Sequence, residues 1–230
     1  MQRLTVVLKK QVARFALGCV VAFGVSTSVF AQSNLVNVQI SLTVENEYGI
    51  FAIDPNTNQL RLIGSDNYWP TVETYSFTAP LGSYIYVIGR ATGDAAMFVS
   101  KTVFANSITV LTGVPNQFAN WEVNNSARSF VYQFDITDPN TVRIWLDQEA
   151  GSWLTPRVGR SVGGSDPHFP ILAGANHIWL RPGGGNRWGF GGYTSPCSVL
   201  FRLQVVPEPA SLLALGAGLA GLVGLRRRKR

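Results

Sequence analysis

Asn34-Leu-Val-Asn-Val-Gln-Ile-Ser-Leu-Thr-Val44 decides the fold. Val36, Val38, Ile40, Leu42 and Val44 alternate with polar partners, the period of two that turns one face of a strand to a core and the other to water. The same texture continues in short runs: Tyr48 to Ile53, Gln59 to Ile63, Thr71 to Thr78, Tyr84 to Ile88, Met97 to Phe104 and Ser107 to Leu111. Asn120 to Val123, Phe130 to Ile136, Val142 to Leu146 and Val199 to Val206 complete the series. Turn clusters such as Asp54-Pro-Asn-Thr-Asn58 and Asp138-Pro-Asn140 separate them. No segment before residue 210 shows a sustained helical period. Many short strands between Gly, Pro and Asn turns predict an all-β chain folded as a single jelly-roll-like β-sandwich.

Both ends of the 230 residues depart from that texture. Four cations (Arg3, Lys9, Lys10 and Arg14) precede the 11-residue apolar run Phe15 to Val25, and Val29-Phe30-Ala31 places modest or small residues before Gln32. This is the plan of a signal peptide, cut between Ala31 and Gln32, because a bilayer span needs about 20 apolar residues. No Arg-Arg pair is present in residues 1–31, so the Sec route is expected. Cys19 sits inside the apolar run with Ala16 where a lipobox prefers Leu, which argues against a lipoprotein. At the other end Val206-Pro207-Glu208-Pro209-Ala210-Ser211 leads into an uncharged run to Leu225 and then Arg226-Arg-Arg-Lys-Arg230. Two prolines block helix at the boundary. Ala210 to Leu225 is 16 residues, about 24 Å of helix, which snorkelling Arg side chains lengthen toward a bilayer core. The basic end is expected to stay cytoplasmic. Residues 1–31, 32–206 and 207–230 are therefore read as signal peptide, extracytoplasmic sandwich and sorting tail.

Pro207-Glu208-Pro209, an apolar span and a terminal Arg cluster resemble the PEP-CTERM sorting signal. The resemblance implies a Gram-negative bacterium that makes exopolysaccharide, and an exosortase, a membrane-embedded cysteine peptidase, that cuts near Pro207-Glu208-Pro209. It implies transient anchoring in the inner membrane through a C-terminal transmembrane helix, followed by release to the cell surface or extracellular matrix. Two other stretches, Thr43-Val-Glu-Asn-Glu-Tyr-Gly-Ile-Phe51 and Ser65-Asp-Asn-Tyr-Trp-Pro-Thr-Val-Glu-Thr-Tyr-Ser-Phe77, are similar in strand texture to galactose-binding-like sandwiches, and no binding residue is carried across from them.

The net charge of +6 misleads. Of 19 Lys and Arg, four lie in the signal and five in the tail, which leaves 10; setting aside Glu208, 12 of the 13 acids remain, so the middle is near −2. A nucleic-acid partner is not indicated, since the basic charge belongs to the ends.

Candidate sites concentrate in 147–198, where Gly and Pro interleave with aromatic and Arg residues. Sugars present flat C–H faces and hydroxyls, so a binding site needs aromatic plates beside hydrogen-bonding side chains. Trp153, Trp179, Arg181, Arg187 and Trp188 supply both kinds of group. The competing reading makes the rings core. Trp179, in strand-like Ile178-Trp179-Leu180, leans to the core, and Trp188, between Arg187 and Gly189, to the exposed plate. Trp121 and Trp145, in strand alternation, read as structural.

Chemistry beyond binding finds little purchase. His168 and His177 are the only histidines, with no HExxH or GxSxG around them. Ser165-Asp166-Pro167-His168 contains triad residue types, but triad members converge from separate segments. Gly183 to Gly192 lacks the spacing of a phosphate loop. Asp54 to Asn58 imitates the start of an EF-hand, but Gln59 stands where Gly is required and Ser65 where Glu is. With one cysteine, Cys197, left after the signal, neither an internal disulfide nor a structural zinc site is expected. Its neighbours Pro196, Val199 and Leu200 favour a buried thiol. The expectation is a non-enzymatic surface or matrix protein without metal or cofactor, met by signal peptidase and exosortase during export, with exopolysaccharide as its partner.

Overall fold

The computed structural model describes residues 34–68, 70–92, 96–105, 107–124, 134–148, 153–162, 170–179, 197–207 and 216–219. The chain divides into two units, Met1–Asn34 and Leu35–Arg230, and every element below belongs to the second. One antiparallel sheet, A, holds β1 (Leu35–Glu45), β4 (Glu73–Pro80), β6 (Met97–Phe104), β7 (Ile108–Leu111), β10 (Arg157–Ser161) and β11 (Asn176–Trp179). Its order is β10-β11-β6-β1-β4, with β7 also paired to β6. Sheet B holds β2 (Glu47–Ile53), β3 (Leu60–Asp66), β5 (Tyr84–Ala91), β8 (Glu122–Asn124), β9 (Trp153–Leu154) and β12 (Cys197–Gln204), in the order β3-β2-β5-β12-β8-β9.

The wiring follows from three ribbons that each cross from one sheet to the other. β1–β2 is the middle one, flanked by β3–β4 and β5–β6: β1 pairs with β4 and β6, and β2 with β3 and β5. Asn46 pins the crossing of the middle ribbon. Its amide N–H donates to the Arg90 carbonyl at 2.6 Å, and its side-chain oxygen accepts from the Thr92 N–H and hydroxyl, both at 2.7 Å. The all-β sandwich read from the alternation is present. The jelly-roll refinement does not follow from this order, because the last strand, β12, lies beside β5 in the sheet opposite β1.

Val36, Val38, Ile40, Leu42 and Val44 all face inward and are buried, meeting Ile85, Val87, Val199, Phe201 and Leu203 from sheet B. Phe98 sits at the centre, edge-on to Trp121 at 4.8 Å and 4.7 Å from Phe201. Gly89 makes room for the largest core ring. A Cβ there would lie 2.9 Å from Val44 Cγ1 and 3.2 Å from the Trp179 ring. We expect Gly89→Ala to cost about 1–3 kcal/mol by overpacking, read as a fall in Tm of about 2–4 °C per kcal/mol. An unchanged Tm would show that the Trp179 ring has slack.

One element corrects the sequence reading. Pro139–Gln148 is a helix, α1, where Val142 to Leu146 was expected to be a strand. Asp138 caps it: its carboxylate accepts from the Asn140 N–H at 2.9 Å, and Pro139 takes the first helical position, where its missing N–H costs nothing. Val142, Trp145 and Leu146, three and four apart, pack on Phe51, Ile88 and Leu200 of the outer face of sheet B, while Ile144 is exposed. Trp145 is thus structural, but on a helix. The strand expected over Phe130 to Ile136 also fails where it is described: Asp135 accepts from the Thr137 N–H and hydroxyl at 2.8 and 2.6 Å and closes a turn.

Tyr48, buried in the core, contacts the Tyr75 hydroxyl at 3.2 Å. Burial first, then Tyr75, Asp66 and Glu73, push the Tyr48 phenol far above its usual value near 10. Since the folded state holds that proton more tightly, the associated stability is complete below about pH 10 and drains away as pH rises beyond it. Melting between pH 8 and 11 should therefore show an alkaline decline that is shallower in Tyr48→Phe. Parallel declines would remove Tyr48 as the cause.

Candidate functional site

The C-terminal segment leaves the fold without a linker. The Val205 N–H donates to the Ser83 carbonyl at 2.8 Å, and the Gly82 N–H donates to the Val205 carbonyl at 2.9 Å. Val205 and Val206 are buried, and Pro207 is half-buried. Glu208 and Pro209 of the sorting motif lie outside the described residues, as do Ala31 and Gln32 of the signal cleavage site. Residues 216–219 are helical. Among the described residues, no helix is long and apolar enough to cross a membrane.

Of the five candidate sugar-binding residues, Arg181, Arg187 and Trp188 lie outside the described residues, so the expected platform is not brought together there. Trp179, whose strand texture leaned to the core, is fully buried, 5.4 Å from the Phe201 ring, because at the end of β11, between β10 and β6, its indole fills the space left by Gly89. It offers no face to a ligand. Trp153 is different. It is half-buried on β9, and the Arg202 guanidinium lies 3.9 Å above its ring. The same guanidinium lies 4.4 Å from the Tyr84 ring, and its Nε donates to Glu122 at 2.6 Å. Tyr84 in turn is 6.1 Å from Tyr86.

Tyr84, Tyr86, Arg202, Glu122 and Trp153 thus form a row across β5, β12, β8 and β9 on the outer face of sheet B. Burial raises the Tyr86 phenol, with Arg202 opposing it. The row combines flat rings with a guanidinium and a carboxylate in fixed positions, the groups that stack on and hydrogen-bond a sugar. Sequence reasoning missed four of its five members. Their signal was present in the period of two, which puts Tyr84 and Tyr86 on the same face of a strand whose other face is apolar. Arg202→Ala is expected to cost about 1–2 kcal/mol of stability, chiefly as lost cation–π stacking, since the half-exposed ion pair with Glu122 is worth less. Chemical denaturation reads this, and a cost below a few tenths would mean that the stack is incidental.

Two of the depressions on the described surface are lined by residues away from the row. One, of about 460 Å³, is lined by Glu47, Tyr48, Asp66, Arg90 and Asp135 among others. Arg90 is already committed there, donating to Glu47 at 3.0 Å and to the Phe134 carbonyl at 2.6 Å. Hydrogen bonds from Thr137, first its hydroxyl and then its N–H, hold the Asp135 carboxyl below its usual range. The other, of about 630 Å³, runs beside the edge strands β3 and β4 past Asn37, Gln39, Arg61, Ser76 and Thr78. Among the described residues no group of three His, Cys, Asp or Glu is placed to hold a metal. The stretch that imitates an EF-hand is the β2–β3 hairpin turn, where Asp54 accepts from the Asn56 N–H at 2.8 Å and the Thr57 N–H at 3.3 Å. His177 is buried on β11, and His168 lies outside the described residues.

No curated protein and no solved structure matches the chain. The C-terminal segment does have a counterpart: the chain carries the PEP-CTERM protein-sorting motif at residues 205–229, which marks it as an exported, membrane-transiting protein, processed by an exosortase and sorted to the cell surface.

Proposed function

We propose that the protein is a non-enzymatic component of the cell surface or extracellular matrix that works among exopolysaccharides. In this reading signal peptidase removes residues 1–31 after Sec export, the apolar tail holds the sandwich at the inner membrane of a Gram-negative cell, and exosortase cleavage releases it. The supporting observation is the direct join of the sorting motif to a β-sandwich whose core closes at Val206. The test is to recover the processed protein from cells and sediment it with the exopolysaccharide of the same strain. Co-sedimentation supports the reading. A protein that stays in the supernatant, or that shortens the polymer as a hydrolase or lyase would, refutes it.

A second reading, a carbohydrate-binding module, draws support from the Tyr84, Tyr86, Arg202 and Trp153 row. Arg181, Arg187 and Trp188 remain part of that proposal. A glycan array separates the two readings, since a module retains a defined oligosaccharide and a matrix scaffold does not. In the module reading Trp153→Ala loses binding by roughly 1–3 kcal/mol, by analogy with base stacking on aromatic rings.

A further inference from the structure

β1 begins, and the last strand ends, at the same end of the sandwich. Leu35 pairs with Pro80 in the register of β1 and β4. Two residues beyond Pro80, Gly82 and then Ser83 bond to Val205, at the point where the chain leaves for the sorting motif. Leu35 and Leu81 stand at this end, 42% and 44% exposed, although both are large apolar side chains. None of Asn34, Leu35, Pro80 to Ser83, Gln204 and Pro207 is charged. The charges at this end are the paired Asp54 and Arg61 of the β2–β3 hairpin, on the far edge of sheet B, whereas the opposite end carries Glu47, Asp66 and Arg90.

The tether makes this end special. Val206 is still core, and the apolar run begins at Ala210. Two residues, Glu208 and Pro209, separate Pro207 from Ala210, so the three steps of chain span at most about 11 Å when fully extended. The headgroup layer of a bilayer is itself roughly 5–7 Å thick on each side. If Ala210 enters the hydrocarbon, the β4–β5 turn that Val205 holds, with Leu81 in it and Leu35 paired to Pro80 at its start, is kept close to the lipid. We propose that this end of the sandwich is a membrane-contact surface, with Leu35 and Leu81 seated in the headgroup layer for as long as the tail is uncut.

The inference rests on the reading of 210–225 as a membrane span. It adds an orientation: the β4–β5 turn points at the lipid, the charged end points away, and Pro207 to Pro209 are held in the plane where a membrane-embedded peptidase works. It also accounts for release. Two half-exposed leucines are far short of the second signal that stable anchoring requires, so the contact lapses once the span is cut.

The test uses the uncut protein from cells lacking the exosortase, reconstituted in vesicles of phosphatidylethanolamine and phosphatidylglycerol. An environment-sensitive dye is placed at Leu81→Cys or Leu35→Cys, and at Tyr68→Cys toward the charged end, each in a Cys197→Ala background. All three positions are exposed, so labelling leaves the core intact. The expected result is blue-shifted emission and loss of iodide quenching at Leu81 and Leu35, with full quenching at Tyr68. In the processed protein without its tail, the dye at Leu81 should be fully quenched. If alkaline carbonate strips the uncut chain from the vesicles, the span reading fails and the proposal with it. If the chain resists carbonate while the dyes at Leu81 and Leu35 are quenched as fully as that at Tyr68, the span stands and the proposal alone is overturned.

Discussion

Replacing Trp179 by Ala is expected to remove about 3–5 kcal/mol of folding free energy, the usual cost of deleting a large buried ring. The indole is fully buried, its ring meets Phe201 at 5.4 Å, and Gly89 lies beneath it without a side chain that could move into the void. Domains of this size are stable by about 5–15 kcal/mol, so the variant should lose a large share of its stability and shift its denaturant midpoint far down. Trp179→Phe should recover most of the loss. Among the described residues the buried indole N–H has no hydrogen-bond partner, and removing an unpaired buried donor offsets part of the lost volume. The measurement also decides between two roles for the ring. A folded Ala variant within about 1 kcal/mol of the parent, with weakened polysaccharide binding, would return Trp179 to the surface and overturn its place in the core; the ~1 kcal/mol limit is the typical effect of an ordinary substitution.

The part of the fold legible in the sequence is the part governed by a local period. Val36 to Val44 predicted their own strand and its inward face, because alternation is a direct image of pleat geometry. Helix α1 escaped for a physical reason. Val142, Ile144 and Trp145 are residues that suit strands, and the run is too short to show more than two repeats of a 3.6 period. Its start signal was on the page, however, since Asp138 followed by Pro139 is the capping pair of a helix N-terminus as well as a turn. For the candidate site, the period placed Tyr84 and Tyr86 together but could not place Arg202 or Trp153 beside them. That neighbourhood arises from β12 lying between β5 and β8, and from β9 beyond β8, which are pairings over long sequence separations. Composition therefore pointed at 153–188, where the aromatic residues are dense, while the stacked row drew only Trp153 from that segment. Trp179 shows the converse: strand texture in Ile178-Trp179-Leu180 was the better guide to its fate than its Gly-rich and Arg-rich surroundings.

The sorting motif is the one functional feature that needed no fold to be read, and changing it should produce the largest effect on where the protein goes. Converting Pro207, Glu208 and Pro209 to Ala is expected to leave an uncut form in the inner membrane, slightly heavier than the processed protein, and deleting the exosortase should give the same form. The fold strengthens the expectation. Val205 and Val206 are buried, and Val205 is pinned to Gly82 and Ser83, so the described chain leading into the motif is held by the fold as far as Val206. The two prolines matter beyond recognition. On the reading of the tail as a helical span, they are expected to bar that helix from extending toward β12, because each lacks an N–H and restrains the residue before it. Alanines remove that barrier and leave the motif free to join the helix, where an extended substrate is no longer presented. Glu208→Ala alone separates the two contributions, since it leaves both prolines in place: trapping by this single change assigns the failure to lost recognition of the carboxylate, and normal release assigns it to the backbone. Fractionation followed by mass measurement reads both variants, and a triple-Ala variant with the size and location of the parent would show that the motif does not direct sorting in this chain.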